Sequence, residues 1–202
     1  MAGLLILAIS VHEFSHAFAA DRLGDPTPRI AGRLTLNPGA HLDPIGTLLL
    51  FFAGFGWGKP VPFDPFNLRD PKKDAAFISF AGPLSNLLIA IAASLILRIT
   101  GNFPLVISLS LYEVLRMFIY FNVLLAVFNL IPIHPLDGFT VVAGILPKKY
   151  YGDWMELSSY GMIFLIFLIF PFFGGSPIGS LLSPIVNFIL SFLLPSRFGG
   201  II

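Results

Sequence analysis

Residues 3–20 of the chain read GLLILAISVHEFSHAFAA, which places three ionisable groups inside an otherwise apolar stretch. His12 and His16 are four positions apart, so on an α-helix their side chains share one face. Two imidazoles at this spacing can bind one metal ion, and Glu13 lies beside them. Ionisable groups are costly within a membrane and usually serve a function there. The stretch therefore predicts a membrane-spanning helix that binds a metal.

The composition supports a membrane protein. Of 202 residues, 56% are hydrophobic and only 11% are charged, with a mean hydropathy of +0.87. Soluble proteins carry about 25% charged residues. A net charge of +1 gives no basic footprint for nucleic acid. The absence of cysteine excludes disulfides and thiolate ligands, which leaves His, Asp and Glu to bind a metal.

Four further apolar stretches are long enough, or nearly long enough, to cross a bilayer: residues 75–97, 112–131, 157–173 and 178–194. A shorter run, residues 45–57, contains three glycines and is interpreted as a re-entrant or interfacial segment. Before it, Arg33 to Leu36 alternate polar and apolar side chains, which predicts a strand in a small β-hairpin. The expected fold is an all-α polytopic membrane protein with this β-hairpin or re-entrant element after the first helix.

The basic residues predict an orientation. If the first span runs inward, ten of them lie on the inner side and only Arg98, with or without Arg116, lies outside. Cytoplasmic loops carry an excess of Lys and Arg. The metal motif is therefore expected toward the cytoplasmic side of a multi-pass cell-membrane protein. The ten inner residues are Arg22, Arg29, Arg33, Lys59, Arg69, Lys72, Lys73, Lys148, Lys149 and Arg197.

A catalytic zinc site needs a third protein ligand and one open position. Asp137 follows the third long apolar stretch, in the segment NLIPIHPLDG at residues 129–138, at the expected depth of His16. Prolines break the helix there and allow side chains to turn inward. His134 and His41 are rival ligands. Two histidines and one carboxylate suit zinc.

Two of the amides within apolar segments have a predicted role. Asn129 can hydrogen-bond a developing oxyanion or orient a substrate, or it can cap a helix before Pro132. Asn86 is expected to join helices by a hydrogen bond, with Gly82 permitting their close approach.

These motifs together resemble the site-2 protease family of intramembrane zinc metalloproteases, in particular its short prokaryotic members without a PDZ domain. The resemblance covers nearly the whole chain. It is carried by HEFSH at 12–16, GDPTP at 24–28, AGRLTLNP at 31–38, GWGKPVP at 56–62, AGP at 81–83, and the Asn-x-x-Pro and Leu-Asp-Gly motifs within 129–138.

The resemblance implies a single domain over residues 1–202, with a three-helix catalytic core at about 1–146 and extra C-terminal spans at about 157–195. It implies one Zn²⁺ ion bound by His12, His16 and Asp137, with Glu13 as general base and Asn129 supporting the tetrahedral intermediate. The implied substrates are transmembrane segments of other proteins, often membrane-held regulators, so that the enzyme would act in regulated intramembrane proteolysis.

The chain departs from the family pattern at His134. His134 stands where relatives commonly have proline, and it is a possible accessory ligand, a partner of a ligand or a neutral replacement.

Residues 54–61 look like the family's re-entrant strand region beside the active site. Because the chain starts almost at the metal helix, regulation by an attached domain is not expected.

Two other classes of function are compatible with a metal motif in a membrane helix. A catalytically silent membrane protein could bind helices in the same pocket, but loss of Glu13 would be its expected sign, and Glu13 is present. A metal transporter needs polar groups on several spans, and the spans after Tyr150 carry few. A protease remains the favoured hypothesis.

Overall fold

The computed structural model describes residues 2–53, 56–101, 109–170 and 177–195, and within them the chain is helical. Its helices are α1 (Ala2–Arg22), α2 (Thr27–Ile30), α3 (Pro38–His41), α4 (Pro44–Ala53), a 3₁₀ turn (Pro65–Asn67), α5 (Pro71–Gly101), α6 (Leu109–Asn129), α7 (Asp137–Ile145), α8 (Lys148–Glu156), α9 (Ser158–Ile169) and α10 (Pro177–Leu193).

Three of these helices, α1, α5 and α6, are long and apolar enough to cross a membrane. They coincide with the first three predicted spans. Helices α8 and α9 qualify as a fourth only when they are taken together, across a bend of 57°, and α10 is a shorter apolar helix. The end of the fourth predicted span, residues 171–173, lies outside the described residues, as do Gly54 and Arg197.

Helix α5 is the centre of the packing, because it contacts α1, α6 and α7. The larger hydrophobic core lies between α5, α6, α9 and α10, where Leu97, Ile119 and Val123 are fully buried. The outer faces of the long helices carry exposed apolar side chains such as Leu88 and Leu95. A contiguous apolar exterior of this kind suits a lipid environment. The packing brings α1 and α7 onto the same side of α5.

The predicted β-hairpin is wrong. The described residues contain no strand, only an isolated antiparallel bridge between Leu42 and Gly58. Prolines at the first turn start α2 and α3, as their fixed φ favours. Between these short helices Arg33 is buried, and its guanidinium donates to the carbonyls of Ala40, Lys59 and Pro60. The Arg33 side chain thus hydrogen-bonds to loop carbonyls, and the segment does not pair with a partner strand.

The two ends of the segment between Leu42 and Gly58 lie next to each other. Helix α4 begins at Pro44, and the returning chain reaches Leu42 again at Gly58, where the Lys59 amide donates to the His41 carbonyl at 2.7 Å. Gly46 makes this return possible, because a Cβ there would lie 2.3 Å from the Trp57 carbonyl oxygen. Its two ends meet as a re-entrant segment requires, and its depth in a membrane stays a prediction.

Candidate metal centre

Helix α1 brings the two motif histidines together. His12 and His16 lie one turn apart and are only 4% and 8% exposed. Their Nε2 atoms are 3.0 Å apart, and their rings are perpendicular, at 88°. Because i and i+4 side chains share a helix face, this convergence follows from the spacing in the sequence.

Asp137, the first residue of α7, completes the cluster. Its Oδ2 lies 3.1 Å from His12 Nε2 and 3.3 Å from His16 Nε2. Within the described residues, these three side chains form a group whose ligand atoms all lie within 4.8 Å of one another. The predicted third ligand is therefore beside the motif histidines, although it is more than 120 positions away in the chain.

The chemistry of these atoms fits a cation. Asp137 Oδ2 is buried and has no hydrogen-bond partner. It is almost equidistant from the two Nε2 atoms, which favours a shared ion over one proton held by one ring. Buried polar atoms are rarely left unpaired. Two histidines and one carboxylate form the ligand set of a catalytic zinc site with one open position.

A sharp chain reversal positions Asp137. Helix α6 ends at Asn129, and the residues up to 136 are irregular. Gly138 packs on the end of α6 so closely that a Cβ would lie 2.2 Å from the Leu130 carbonyl oxygen. A side chain at this position would push α7 away. The Asp137–Gly138 pair therefore combines a candidate ligand with the residue that lets it approach the histidines.

Helix α5 orients both imidazoles from one face. His16 Nδ1 donates to the Ile78 carbonyl, and His12 Nδ1 contacts Asn86 Oδ1, each at 2.7 Å. Between these acceptors lies Gly82, where a Cβ would be 2.5 Å from His16 Nε2 and 2.7 Å from His12 Cε1. Partners of this kind hold the ring orientation of metal-binding histidines. The prediction that Gly82 permits close approach is confirmed, but the contact of Asn86 with His12 was missed, because nothing in the sequence links positions 74 apart.

Glu13 projects from α1 beside the cluster and is half-buried. Its Oε1 lies 3.3 Å from the position that a Cβ on Gly58 would take, so the carboxylate faces the returning segment at residues 56–62. The carboxylate thus lies next to both His12 in the chain and the returning segment at Gly58.

The other candidate residues have different surroundings. The half-buried Asn129 donates its amide to the Leu125 carbonyl at 2.9 Å, and its catalytic role stays a prediction. The exposed His134 ring packs edge-on against Phe139 at 5.6 Å. His41 is fully buried and donates from Nε2 to the Thr35 carbonyl at 2.6 Å. Neither histidine belongs to the three-residue group found in the described part of the chain.

Outside the spans, Asp25 organises the loops. It is fully buried and accepts hydrogen bonds from the Thr27 amide and hydroxyl, the Asp64 amide and the Asn67 side chain. Burial raises the pKa of Asp25, but these donors outweigh it and hold the pKa below the ordinary value. The carboxylate therefore ties residues 25–27 to residues 64–67.

The chain is similar to several proteins named as zinc metalloproteases. The chain is 36% identical over 189 residues to "Putative zinc metalloprotease YwhC" of Bacillus subtilis, which covers 91% of this chain and 84% of that protein. It is 29% identical to "Putative zinc metalloprotease Rip2" of Mycobacterium tuberculosis, over 83% of this chain and 65% of the relative. A zinc metalloprotease of Methanocaldococcus jannaschii is 29% identical over 73% of this chain, which spans 34% of that protein.

No family model and no solved structure matches the chain. The relation to YwhC nevertheless extends over most of both proteins, and all these relatives carry the name zinc metalloprotease. The chain therefore belongs to the site-2 protease family of zinc metalloproteases.

Proposed function

We propose that this protein is an intramembrane metalloprotease that hydrolyses peptide bonds in or near transmembrane segments of membrane-protein substrates. The observation that carries the proposal is the convergence of His12, His16 and Asp137 on one buried point, with the first two on a helix apolar enough to span a membrane. Membership of a zinc metalloprotease family supports the reaction. The apolar surroundings of the site support a substrate that reaches it through the bilayer.

The three ligands would bind one Zn²⁺ ion and leave one coordination position open. Zinc held by these residues would supply Lewis acidity, both to polarise a peptide carbonyl and to lower the pKa of an attacking water. Glu13 takes the proton of the attacking water and delivers it to the leaving amine. For Asn129 to donate to the developing oxyanion, its amide must give up the Leu125 carbonyl.

The substrate must expose a carbonyl before it can be cleaved. A transmembrane helix hides its carbonyls in its own hydrogen bonds, so substrate helices that contain Pro or Gly should be preferred. An unwound substrate would add as a strand beside residues 56–62, because Gly58 in this segment lies next to the Glu13 carboxylate. Equally fast cleavage of matched helices with and without Gly and Pro would contradict this preference.

The cytoplasmic orientation is also part of the proposal, and it rests on the distribution of basic residues. The chain contains no cysteine, so a single cysteine at Gly152 in α8 would report the side of the membrane. Labelling of Gly152→Cys by an impermeant maleimide in inside-out vesicles, and not in intact cells, is the expected result. The reverse pattern would overturn the orientation.

The deciding experiment compares wild type with Glu13→Gln and Asp137→Ala. Zinc content and cleavage of a model transmembrane substrate are measured in liposomes. Glu13→Gln should keep zinc and lose cleavage, whereas Asp137→Ala should lose both. Cleavage by Glu13→Gln would remove Glu13 from the mechanism, and full zinc content in Asp137→Ala would remove the third ligand. A wild type that binds the substrate helix without cleaving it would favour the silent helix-binding alternative.

A further inference from the structure

Two buried amides form a hydrogen-bonded chain that ends on a metal ligand. Asn86 in α5 and Asn122 in α6 are both fully buried. Asn86 Nδ2 donates to Asn122 Oδ1 at 2.9 Å and to the Ala8 carbonyl at 3.1 Å. Asn122 Nδ2 donates to the Phe118 carbonyl at 2.8 Å. With the 2.7 Å contact between Asn86 Oδ1 and His12 Nδ1, the chain connects α6, α5 and α1.

The direction of these hydrogen bonds follows from their ends. A main-chain carbonyl can only accept, so the NH₂ group of Asn122 must face the Phe118 carbonyl, and that of Asn86 must face the Ala8 carbonyl. Asn122 then presents its oxygen to the second hydrogen of the Asn86 amide. Asn86 in turn presents its oxygen to His12. Rotating either amide by 180° would place two donors or two acceptors against each other.

This direction selects one tautomer of His12. An oxygen facing Nδ1 accepts a hydrogen bond, so the ring proton resides on Nδ1 and the lone pair resides on Nε2. The Nε2 atom is the one that lies 3.1 Å from Asp137 Oδ2. An amide NH₂ facing Nδ1 would instead favour the proton on Nε2, and a protonated nitrogen cannot bind a metal.

We propose that Asn86 and Asn122 are positioning residues that hold His12 in its metal-binding tautomer, and that Asn122 thereby sets metal affinity without touching the metal or its ligands. The inference rests on the proposed metal site and is independent of whether the protein cleaves peptides. It predicts that a change on α6 reaches the metal through two amide side chains.

A purely structural role for the two amides makes a different prediction. Interhelical hydrogen bonds between polar side chains join membrane helices, and their loss would destabilise the metal-free and the zinc-bound protein alike. Loss of the His12 tautomer would weaken the zinc-bound form alone. The increase in thermal unfolding midpoint on adding zinc separates the two roles, because a ligand stabilises the folded state according to its affinity.

The experiment uses the full-length protein in detergent and compares Asn122→Leu with Asn122→Asp. Leucine removes the acceptor for Asn86, whereas the neutral acid of Asn122→Asp keeps an oxygen for Asn86 and directs its hydroxyl to the Phe118 carbonyl. The control is Ser94→Ala, which removes a buried hydrogen bond to the Leu193 carbonyl elsewhere on α5. The probes are the zinc dissociation constant by chelator competition and the visible spectrum of the cobalt-substituted protein.

We expect Asn122→Leu to weaken zinc binding roughly 2- to 10-fold, the effect of losing one hydrogen bond. This is less than the effect of losing Asn86 itself, because Asn86 keeps its bond to the Ala8 carbonyl. Its zinc-dependent stabilisation should shrink and its cobalt bands should shift, while Asn122→Asp and Ser94→Ala stay close to wild type. Wild-type zinc affinity in Asn122→Leu, or equal losses in Asn122→Asp and Asn122→Leu, would overturn the proposal. If Asn122→Leu does not fold, Asn122→Thr tests the same loss, since its hydroxyl ends one atom short of Asn86. A wild type that binds no zinc would instead refute the metal site itself.

Discussion

His12 and His16 are a turn apart on the same helix face, yet α5 orients them in two different ways. Both rings turn Nε2 toward Asp137, and both have an oxygen 2.7 Å from Nδ1. For His16 that oxygen is the main-chain carbonyl of Ile78, and for His12 it is the side-chain oxygen of Asn86.

The two arrangements differ in what can change them. A main-chain carbonyl is present whatever side chain occupies position 78, so the orientation of His16 depends on where α5 lies. The orientation of His12 depends on two particular amides. His16 is therefore held by helix packing, and His12 is held by the identity of two side chains.

The largest effect should come from a change that disturbs both histidines at once. Gly82 contacts both rings, and the Cβ of Gly82→Ala would lie within 2.7 Å of atoms in each. We expect this variant to lose bound zinc and all cleavage, because either the methyl or the displaced rings occupy the metal position. Zinc content of the purified protein measures it. The matched control is Gly152→Ala, where a Cβ meets nothing within 4 Å. A zinc-replete Gly82→Ala would show that α5 lies farther from α1.

A change at Asn86 should affect the orientation of His12 and leave that of His16 unchanged. Asn86→Leu removes the acceptor of His12 and leaves that of His16 in place. Zinc affinity should fall roughly 10- to 100-fold, measured by chelator competition. Unaltered zinc affinity would mean that the orientation of His12 does not depend on the side chain at position 86.

The carboxylates extend the same contrast, since Asp25 has four donors and Asp137 Oδ2 has none. Asp25→Asn should cost about 1–3 kcal/mol of stability and leave zinc affinity unchanged. Because the pKa of Asp25 is lowered in the folded protein, its contribution is complete above the ordinary value of 3.8 and is lost as pH falls through the folded value.

Thermal unfolding of the metal-free proteins at a series of pH values measures this difference. The gap between wild type and Asp25→Asn should be full at neutral pH and shrink in acid. A gap that grows in acid would contradict the assignment of the Asp25 donors.

The smallest effect should follow a change of side chain at the other acceptor. Ile78→Val keeps the carbonyl that orients His16 and removes one buried methylene, which costs about 0.5–1.5 kcal/mol. Stability should decrease slightly and zinc affinity should not change. A marked loss of zinc would show that the position of this carbonyl depends on side-chain packing at 78.

Much of the fold could be predicted from local patterns. The apolar runs predicted α1, α5 and α6, because a span of the bilayer core needs about 20 apolar residues. The strand predicted from the alternation in Arg33–Leu36 is absent, because such alternation forms a half-buried strand only where a partner strand exists. Here the Arg33 guanidinium binds three carbonyls instead.

By itself the sequence determined the pairing of His12 with His16 and the apolar surroundings of the motif, because both follow from helix periodicity and from composition. It also marked Asp137, since a carboxylate and a glycine after a broken apolar run are a local signal. Only the tertiary structure decided that Asn86 reaches His12 and that Asn122 reaches Asn86. Those contacts join residues 74 and 36 positions apart, and no spacing in a chain encodes the packing of three separate helices.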